Sequence, residues 1–454
     1  MNMAKWLKGI RLARPPAAAA PPAELPAPER VYLPLRQHPG APAKPQVQPG
    51  DTVAMGQIVG SSEEFEAANV LSSVSGKVEA VTQGFDLEGK PVLTVVVAND
   101  GKDTWWQDEE EVPMLADAGA VAGTRPSRLL KRLRQVGLVR AAAQGLPLHV
   151  ELSPPMAPRS YLFMTGIPMV RAIDTLIIKA VDADPPVAPN LAALSLANQE
   201  LAVGVAALAR IAGTQRVVLA VPAGVELGEL PATAKAREWE VVPISQTHYP
   251  FAADNPLIEA ITGRVVPTPY GEPRDVGVLL EPLLTALDVG RILLSGKPVV
   301  DRLFSVAGDV AHPQTFRARL GTPVSEVLKA AGGPQGEMGK VILGGPMMGL
   351  AHFDLNSPVT KLTDGMYVQA KSKIKQFADH PCIHCGACVQ ACPVNLIPAE
   401  LGKLCEYGHY EEAADKDLMH CVECGCCAYV CPAKRPMVHF LRLGKTEVLA
   451  RRME

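Results

Sequence analysis

All ten cysteines of this 454-residue chain lie between Cys382 and Cys431, and none precedes them. Disulfides are expected to staple a small secreted domain along its whole length. A thiol-free body with a thiol-dense end points instead to metal ligands in a reducing compartment. At about 150 residues per domain the length allows about three domains, each able to bury a core. With 44 Lys+Arg against 47 Asp+Glu the net charge is −3, so there is no basic excess to invite nucleic acid.

The cysteine spacing indicates the chemistry. Cys382-x2-Cys385-x2-Cys388-x3-Cys392-Pro393 recurs as Cys421-x2-Cys424-x2-Cys427-x3-Cys431-Pro432. Each is the bacterial ferredoxin run, in which three thiolates wrap one [4Fe-4S] cubane and the fourth, before proline, reaches the neighbouring cluster. Thiolates are soft, charged donors that match iron and sulfide. Gly386 and Gly425 permit the tight loop and leave amide N–H groups free to hydrogen-bond cluster sulfurs. The expected ligand sets are therefore crossed: Cys382, Cys385, Cys388 and Cys431 for one cluster, and Cys392, Cys421, Cys424 and Cys427 for the other. Zinc is the ordinary alternative for a C-x2-C pair, but two complete runs with trailing prolines argue against it. Cys405 and Cys426 are read as small buried packing residues, and His380, His384 and His420 as solvated or capping groups. Two such clusters relay single electrons, so the long body is expected to supply an electron source, a docking surface, or both.

Along that body, residues 1–28 are basic and then Pro/Ala-rich. They read as a mobile extension, with a short membrane-surface helix over residues 3–14 as the alternative. No signal peptide is recognised, and no apolar window reaches the roughly 20 residues that span a bilayer. Short β-rich runs between turn signals over residues 29–100 predict a small sandwich or barrel. There, VQPGDTVAMGQIVG and SSVSGKVEAV resemble the barrel-sandwich fold of lipoyl and biotinyl carriers, although Lys77 begins a strand rather than occupying a modified hairpin. A basic helix is expected at Ser127–Arg140, then irregular sequence to residue 182. A long helix at Leu191–Ile211, a strand at Arg216–Ala220, a helix at Leu227–Glu238 and a strand at Glu240–Pro243 predict a Rossmann-like α/β layer with parallel strands. Residues 292–350 return to short strands, including Ser305–Asp309, Gly321–Val324 and Val341–Gly349. Residues 364–378 read as a lead into the cysteine region, and a final helix runs from Met437 to about Arg451.

Several motifs together resemble the RnfC family, the C subunits of the Rnf (Rsx) complex, a membrane-bound, ion-translocating electron-transport assembly linking ferredoxin and NAD. They are the two cysteine runs, VILGGPMMGLA, SGKPVVDRLFSVAGDV, GTPVSEVLKAAGG and YLPLRQHPGAPAKPQVQPGDTV. The resemblance implies a multidomain α+β and α/β chain. After the extension 1–28 it would comprise a barrel-sandwich hybrid (29–105), a flavoprotein-like α/β domain (120–290), a soluble-ligand-binding β-grasp module (291–360) and a helical two-cluster ferredoxin domain (370–454). It further implies a peripheral position on the cytoplasmic face of the inner membrane. Membrane-embedded subunits would hold the protein there, and its electron partner would be an iron–sulfur or ferredoxin-like protein.

One stretch departs from the family. Its flavin/NADH domain opens with a loop of the form GLGGATFPTHVKL, whose amides can approach a phosphate because glycine lacks Cβ. The matching stretch here is Gly137–Leu152, which lacks the paired glycines and places Glu151 at the family's lysine. Gly137 and Arg140 are what remains to meet an FMN phosphate. The family's NGAECEPY is replaced by Met164–Arg171, and YP-x-G-A-E by Tyr249–Asp254. The sequence therefore reads as an electron relay whose FMN and NADH site is degraded, fed by another donor such as a cytochrome. The alternatives are an FMN-containing, NADH-oxidising member of the RnfC family and a soluble iron–sulfur reductase with the same domain set.

Overall fold

Alternation of apolar and polar residues sets the first module. In the strands Arg30–Pro34 and Pro91–Asn99, Val31, Leu33, Val95 and Val97 are fully buried. With Gly76–Phe85 and Thr52–Val53 they form a four-stranded antiparallel sheet. A three-stranded sheet of Lys44–Pro45, Ile58–Ser61 and Val70–Leu71 shares its core through Ala43, Val59 and Val70. Each such side chain contributes roughly 1.5–3 kcal/mol on burial. Lys77 lies within the Gly76–Phe85 strand. The computed structural model describes residues 8–12, 20–86, 89–107, 114–142, 145–153, 172–196, 199–245, 248–269, 271–375 and 380–453.

The second module is a four-stranded parallel sheet in the order Glu240–Ile244, Arg216–Pro222, Thr175–Lys179, Val278–Pro282. Thr175–Lys179 is buried at every position, as a parallel strand covered on both faces must be. Leu176 and Ile178 pack on one side, against the helices Gln199–Ala212 and Leu283–Ser295. Ile177 packs on the other, against Leu257 and Ile258 of the helix Asp254–Thr262.

A six-stranded mixed sheet follows, in the order Ala23–Glu24, Gln314–Arg319, Asp301–Gly308, Gly365–Ala370, Met338–Leu343, Leu350–His352. The helix Val324–Ala330 closes its core through Val324, Val327 and Leu328. The cysteine region is helical, and its last helix, Met437–Met453, packs on Pro398–Glu406 and Tyr410–Asp415. Among the described residues no single helix is long and apolar enough to cross a membrane.

Several expectations need correction. The extension 1–28 is not loose where it is described: Ile10 pairs with Tyr249, and Ala23–Glu24 pairs in parallel with Phe316 and Arg317. Proline-rich sequence can still lend a few amides to a sheet edge. Residues 8–12 are not helical, while the remainder of the proposed surface helix lies outside the described residues. The basic helix stops at Gln135 because Gly137 takes a positive φ of 60°. The long helix is broken into Pro189–Ala193 and Gln199–Ala212 with a 3-10 turn at Leu194–Leu196. Gly321–Val324 is a turn leading into the helix Val324–Ala330, and Pro323, which has no N–H to give a ladder, makes only an isolated bridge with Pro358. Gly365–Ala370 is an interior strand of the six-stranded sheet, so that module continues past residue 360. The strands Thr175–Lys179 and Val278–Pro282 carried no periodic signal, being buried on both faces.

Lys361 ties three modules together. Its Nζ donates to the carbonyls of Asn69 at 2.7 Å and Gly137 at 2.6 Å, while its backbone N–H donates to Gln37. Burial pushes its ammonium down to about 7. The unfolded chain holds that proton up to about pH 10.4, so folding releases it between those values and stability rises with pH across the window. The cost is fully present below about pH 7. Wild type should therefore gain thermal stability relative to Lys361→Met between pH 7 and pH 9.5; an unchanged difference in melting temperature would refute the assignment.

Candidate iron–sulfur centre and the adjoining cleft

The two cysteine runs fold alike. His384 and Glu423, Gly386 and Gly425, and Asn395 and Lys434 occupy matching positions of the two runs, and all six have positive φ. Gly386 and Gly425 each precede a short helix, Ala387–Ala391 and Cys426–Tyr429, and these helices pack on each other. Glycine suits both turns because a Cβ at φ of 75° or 81° would be strained.

One small cavity is lined by Cys392 of the first run together with Cys421, Cys424 and Cys427 of the second, and by Cys426 beside them. Leu396, Leu401, Val438 and Leu441 form its apolar wall. Among the described residues no group of three or more His, Cys, Asp or Glu side chains is placed to hold a single metal ion. Amides point at the sulfurs, with Leu396 N donating to Cys392 Sγ at 3.3 Å and Glu423 N to Cys421 Sγ at 3.4 Å. Four soft donors around an apolar cavity, with amides aimed at two of them, suit a sulfur-rich iron cluster. Of the other four, Cys388 and Cys382 lie within electrostatic range of each other, Cys385 is exposed, and Cys431 is half-buried.

Burial outweighs the nearby Lys445 and Lys8 and favours the protonated form of several of these thiols. It pushes Cys421 up to about 11 and Cys427 up to about 12, and also raises Cys388 and Cys392. Cys424 falls to about 7 because the Cys426 thiol donates to it. These thiols would hold a cluster as thiolates, so taking it up would release their protons. Cys405 and Cys426 are both fully buried, as expected of packing residues, and Cys405 lies against Gly444 and Leu418. His420 Nδ1 lies 2.7 Å from Thr268 Oγ1. Glu423, between two cysteines, is held by Arg442 and Lys445 of the last helix, each at 2.7 Å.

A cleft of about 1500 Å³ adjoins the cavity and is shared by all the modules. Its walls include Arg36 and His38 of the barrel, Arg140, Lys179 and Asp254 of the α/β layer, Gly344 and Met348 of the glycine-rich loop, and Val394 and Val422 of the cysteine region. Val394 and Val422 also line the thiol cavity, so they form the partition between the two spaces.

The cations of the cleft floor are already engaged. Lys179 Nζ donates to Asp254 at 2.7 Å, and Arg140 donates to Asp254 at 3.3 Å and to the Leu280 carbonyl at 3.1 Å. Glu151 and Glu281 lie 3.6 and 3.7 Å from the Arg140 Nε. Burial alone would push the Asp254 carboxyl up, but Lys179 and Arg140 hold it well below the usual range. Burial, then repulsion from Glu151, raises Glu281; burial also pushes Asp182 and Asp184 up to about 6.

Nor do the amides named next, among the described residues of the matching loop, form a cradle. Arg140 N donates to Leu146 O, Ala141 N to Thr285 Oγ1, Ala142 N to Arg140 O, Gly145 N to Ala142 O and Leu148 N to Leu138 O. Gly137 does not line the cleft; a Cβ there would meet the Asn69 carbonyl at 2.3 Å, and its own carbonyl receives Lys361. These residues do not fit a flavin phosphate. Met164–Arg171 lies outside the described residues. Asp254 heads its helix and serves Arg140 and Lys179, whereas Tyr249 points away to the cysteine loop; the sequence offered no sign of that second role.

Three family descriptions match the chain: "RnfC Barrel sandwich hybrid domain" over residues 7–102, "SLBB domain" over 303–351 and "4Fe-4S dicluster domain" over 381–434. The last places two [4Fe-4S] clusters in the cysteine region. The chain is 33% identical to the C subunit of the Na(+)-translocating ferredoxin:NAD(+) oxidoreductase complex of Acetobacterium woodii, over 94% of this chain and 92% of that one. It is 32% identical to the C subunit of the proton-translocating ferredoxin:NAD(+) oxidoreductase complex of Clostridium ljungdahlii, over 93% and 89%. It is also 32% identical to the C subunit of the ion-translocating oxidoreductase complex of Rhodobacter capsulatus, over 94% and 79%. With its barrel-sandwich module, its β-grasp sheet and its paired cysteine runs all matched in order, the chain belongs to the RnfC family, the C subunits of Rnf-type ion-translocating oxidoreductase complexes.

Proposed function

We propose that this RnfC-family protein works as an iron–sulfur relay whose FMN and NADH site has been given up. The observation that carries the relay is the cavity shared by Cys392, Cys421, Cys424 and Cys427, which supports the crossed sets, with Cys382, Cys385, Cys388 and Cys431 holding the second cluster. The clusters supply one-electron chemistry. The chain's own residues exclude water with Leu396, Leu401, Val438 and Leu441, aim amides at the sulfurs, and leave the Cys385 side accessible. Ile383, Ile397 and Tyr429 are each more than half exposed in or beside the cysteine runs. They suit transient docking of an iron–sulfur or ferredoxin-like partner.

The loss of the flavin site is supported by the engaged amides of Arg140, Ala141, Ala142, Gly145 and Leu148 and by the acidic side chains that surround Arg140. Electrons would then arrive from a donor other than NADH, such as a cytochrome. Membrane-embedded subunits of the complex would hold the chain at the cytoplasmic face of the inner membrane. The size of the cleft and its thin partition from the thiol cavity favour a second reading, an FMN-containing, NADH-oxidising protein.

Three measurements separate these readings. Anaerobically purified chain should hold about eight irons and as many acid-labile sulfides; about four, or zinc instead, overturns the two-cluster assignment. Cys392→Ser should remove about half of that iron and the same spectroscopic signal that Cys427→Ser removes; damage shared instead with Cys388→Ser would show uncrossed ligation. Finally, the chain should release no stoichiometric FMN, and NADH should leave the cluster absorbance unbleached. Bound FMN with rapid bleaching would establish the second reading.

A further inference from the structure

The two cysteine runs match each other in sequence and backbone, yet the rest of the chain treats them differently. Cys385 is exposed, whereas Cys424, at the matching position of the second run, is buried. Three segments from outside the cysteine region meet on the Cys424 loop. Tyr249, 2% exposed, donates its hydroxyl to the Cys424 carbonyl at 2.7 Å. Ile10 pairs with Tyr249 through two backbone hydrogen bonds of 2.8 and 3.0 Å, and its side chain joins Ala391, Cys424 and Cys426 in one apolar group. Met347 abuts Gly425, its carbonyl 3.1 Å from where a Cβ would stand. Asp184 holds that methionine loop by accepting from the amides of Met347 and Met348 at 2.8 and 3.3 Å.

The Cys426 thiol completes the arrangement. It donates to the Tyr249 carbonyl at 3.9 Å and so holds the residue that grips the Cys424 loop. Tyr249 is itself enclosed, 2% exposed, with the Cys424 carbonyl as the acceptor of its hydroxyl.

We propose that Tyr249 is a positioning residue for the cluster of Cys392, Cys421, Cys424 and Cys427, and that it makes the two clusters unequal in potential. The inference rests on the ligand reading above. A donor aimed at the Cys424 carbonyl withdraws negative charge from beside that cluster and so favours its reduced form. Hydrogen bonding and solvent exposure around the sulfurs are the protein's means of setting cluster potential. The other cluster, on the Cys385 side, lacks the burial and should not respond.

The test is a redox titration of the full chain, purified anaerobically and followed by electron paramagnetic resonance, with the signal lost in Cys427→Ser marking the cluster concerned. Tyr249→Phe should keep the wild-type iron content and lower the midpoint potential of the marked signal alone. Cys426→Ala should shift the same signal in the same direction, and Cys426→Ser, which retains a donor, should return it toward wild type. Loss of the marked signal in Tyr249→Phe overturns the assignment, since a residue that sets potential leaves the cluster in place. Unchanged potentials, an equal shift of both signals, or loss of both overturns it. A wild-type chain without the marked cluster would sink the ligand reading and this inference with it. Two intact wild-type clusters with an unresponsive Tyr249→Phe chain would sink this inference alone.

Discussion

The arrangement of this chain depends on four thiols that must surround one space although they come from two separate runs. Cys392 ends the first run, and Cys421, Cys424 and Cys427 lie beyond two intervening helices. Bringing them together requires each run to curl through left-handed residues, at His384 and Gly386 and again at Glu423 and Gly425. It also requires the connecting helices to fold back. Leu401 and Cys405 of the first of these share a buried core with Leu418 and Leu441, so the apolar wall around the thiols is also what holds the region together.

Around that centre the remaining modules are joined by buried polar contacts rather than by linkers. Lys361 connects the β-grasp loop to the barrel and to the α/β layer through two carbonyls. Tyr249 connects the α/β layer to the cysteine loop, and Ile10 connects the N-terminal strand to both. A buried polar group that loses its partner is costly, so each contact fixes the relative placement of two modules more firmly than an equal area of apolar surface would. The cleft exists because four modules are held at these fixed placements, and its partition from the thiol cavity is only Val394, Val422 and their neighbours.

Much of the fold was legible in the sequence where the signal is local. Short β-rich runs between turn signals marked the barrel that holds Arg30–Pro34 and Pro91–Asn99, and the helix readings covered most of Gln199–Ala212 and Met437–Met453. Where local pattern was silent or misleading, tertiary contacts decided. Thr175–Lys179 shows no alternation because both faces are covered. Ala23–Glu24 becomes a strand only because Phe316 and Arg317 offer it an edge. Arg140 looked like a surviving phosphate ligand, and only its distances to Asp254, Glu151 and Glu281 show that its charge is already spent.

The sequence alone determined the iron–sulfur chemistry, since cysteine type, number and spacing constrain which thiols can wrap a cluster whatever surrounds them. It could not determine the inequality of the two runs. The exposure of Cys385, the burial of Cys424, and the grip of Tyr249, Ile10 and Met347 on the Cys424 loop arise from contacts between residues far apart in the sequence. A repeated motif is nearly symmetric in sequence; only packing in three dimensions gives its two copies different surroundings.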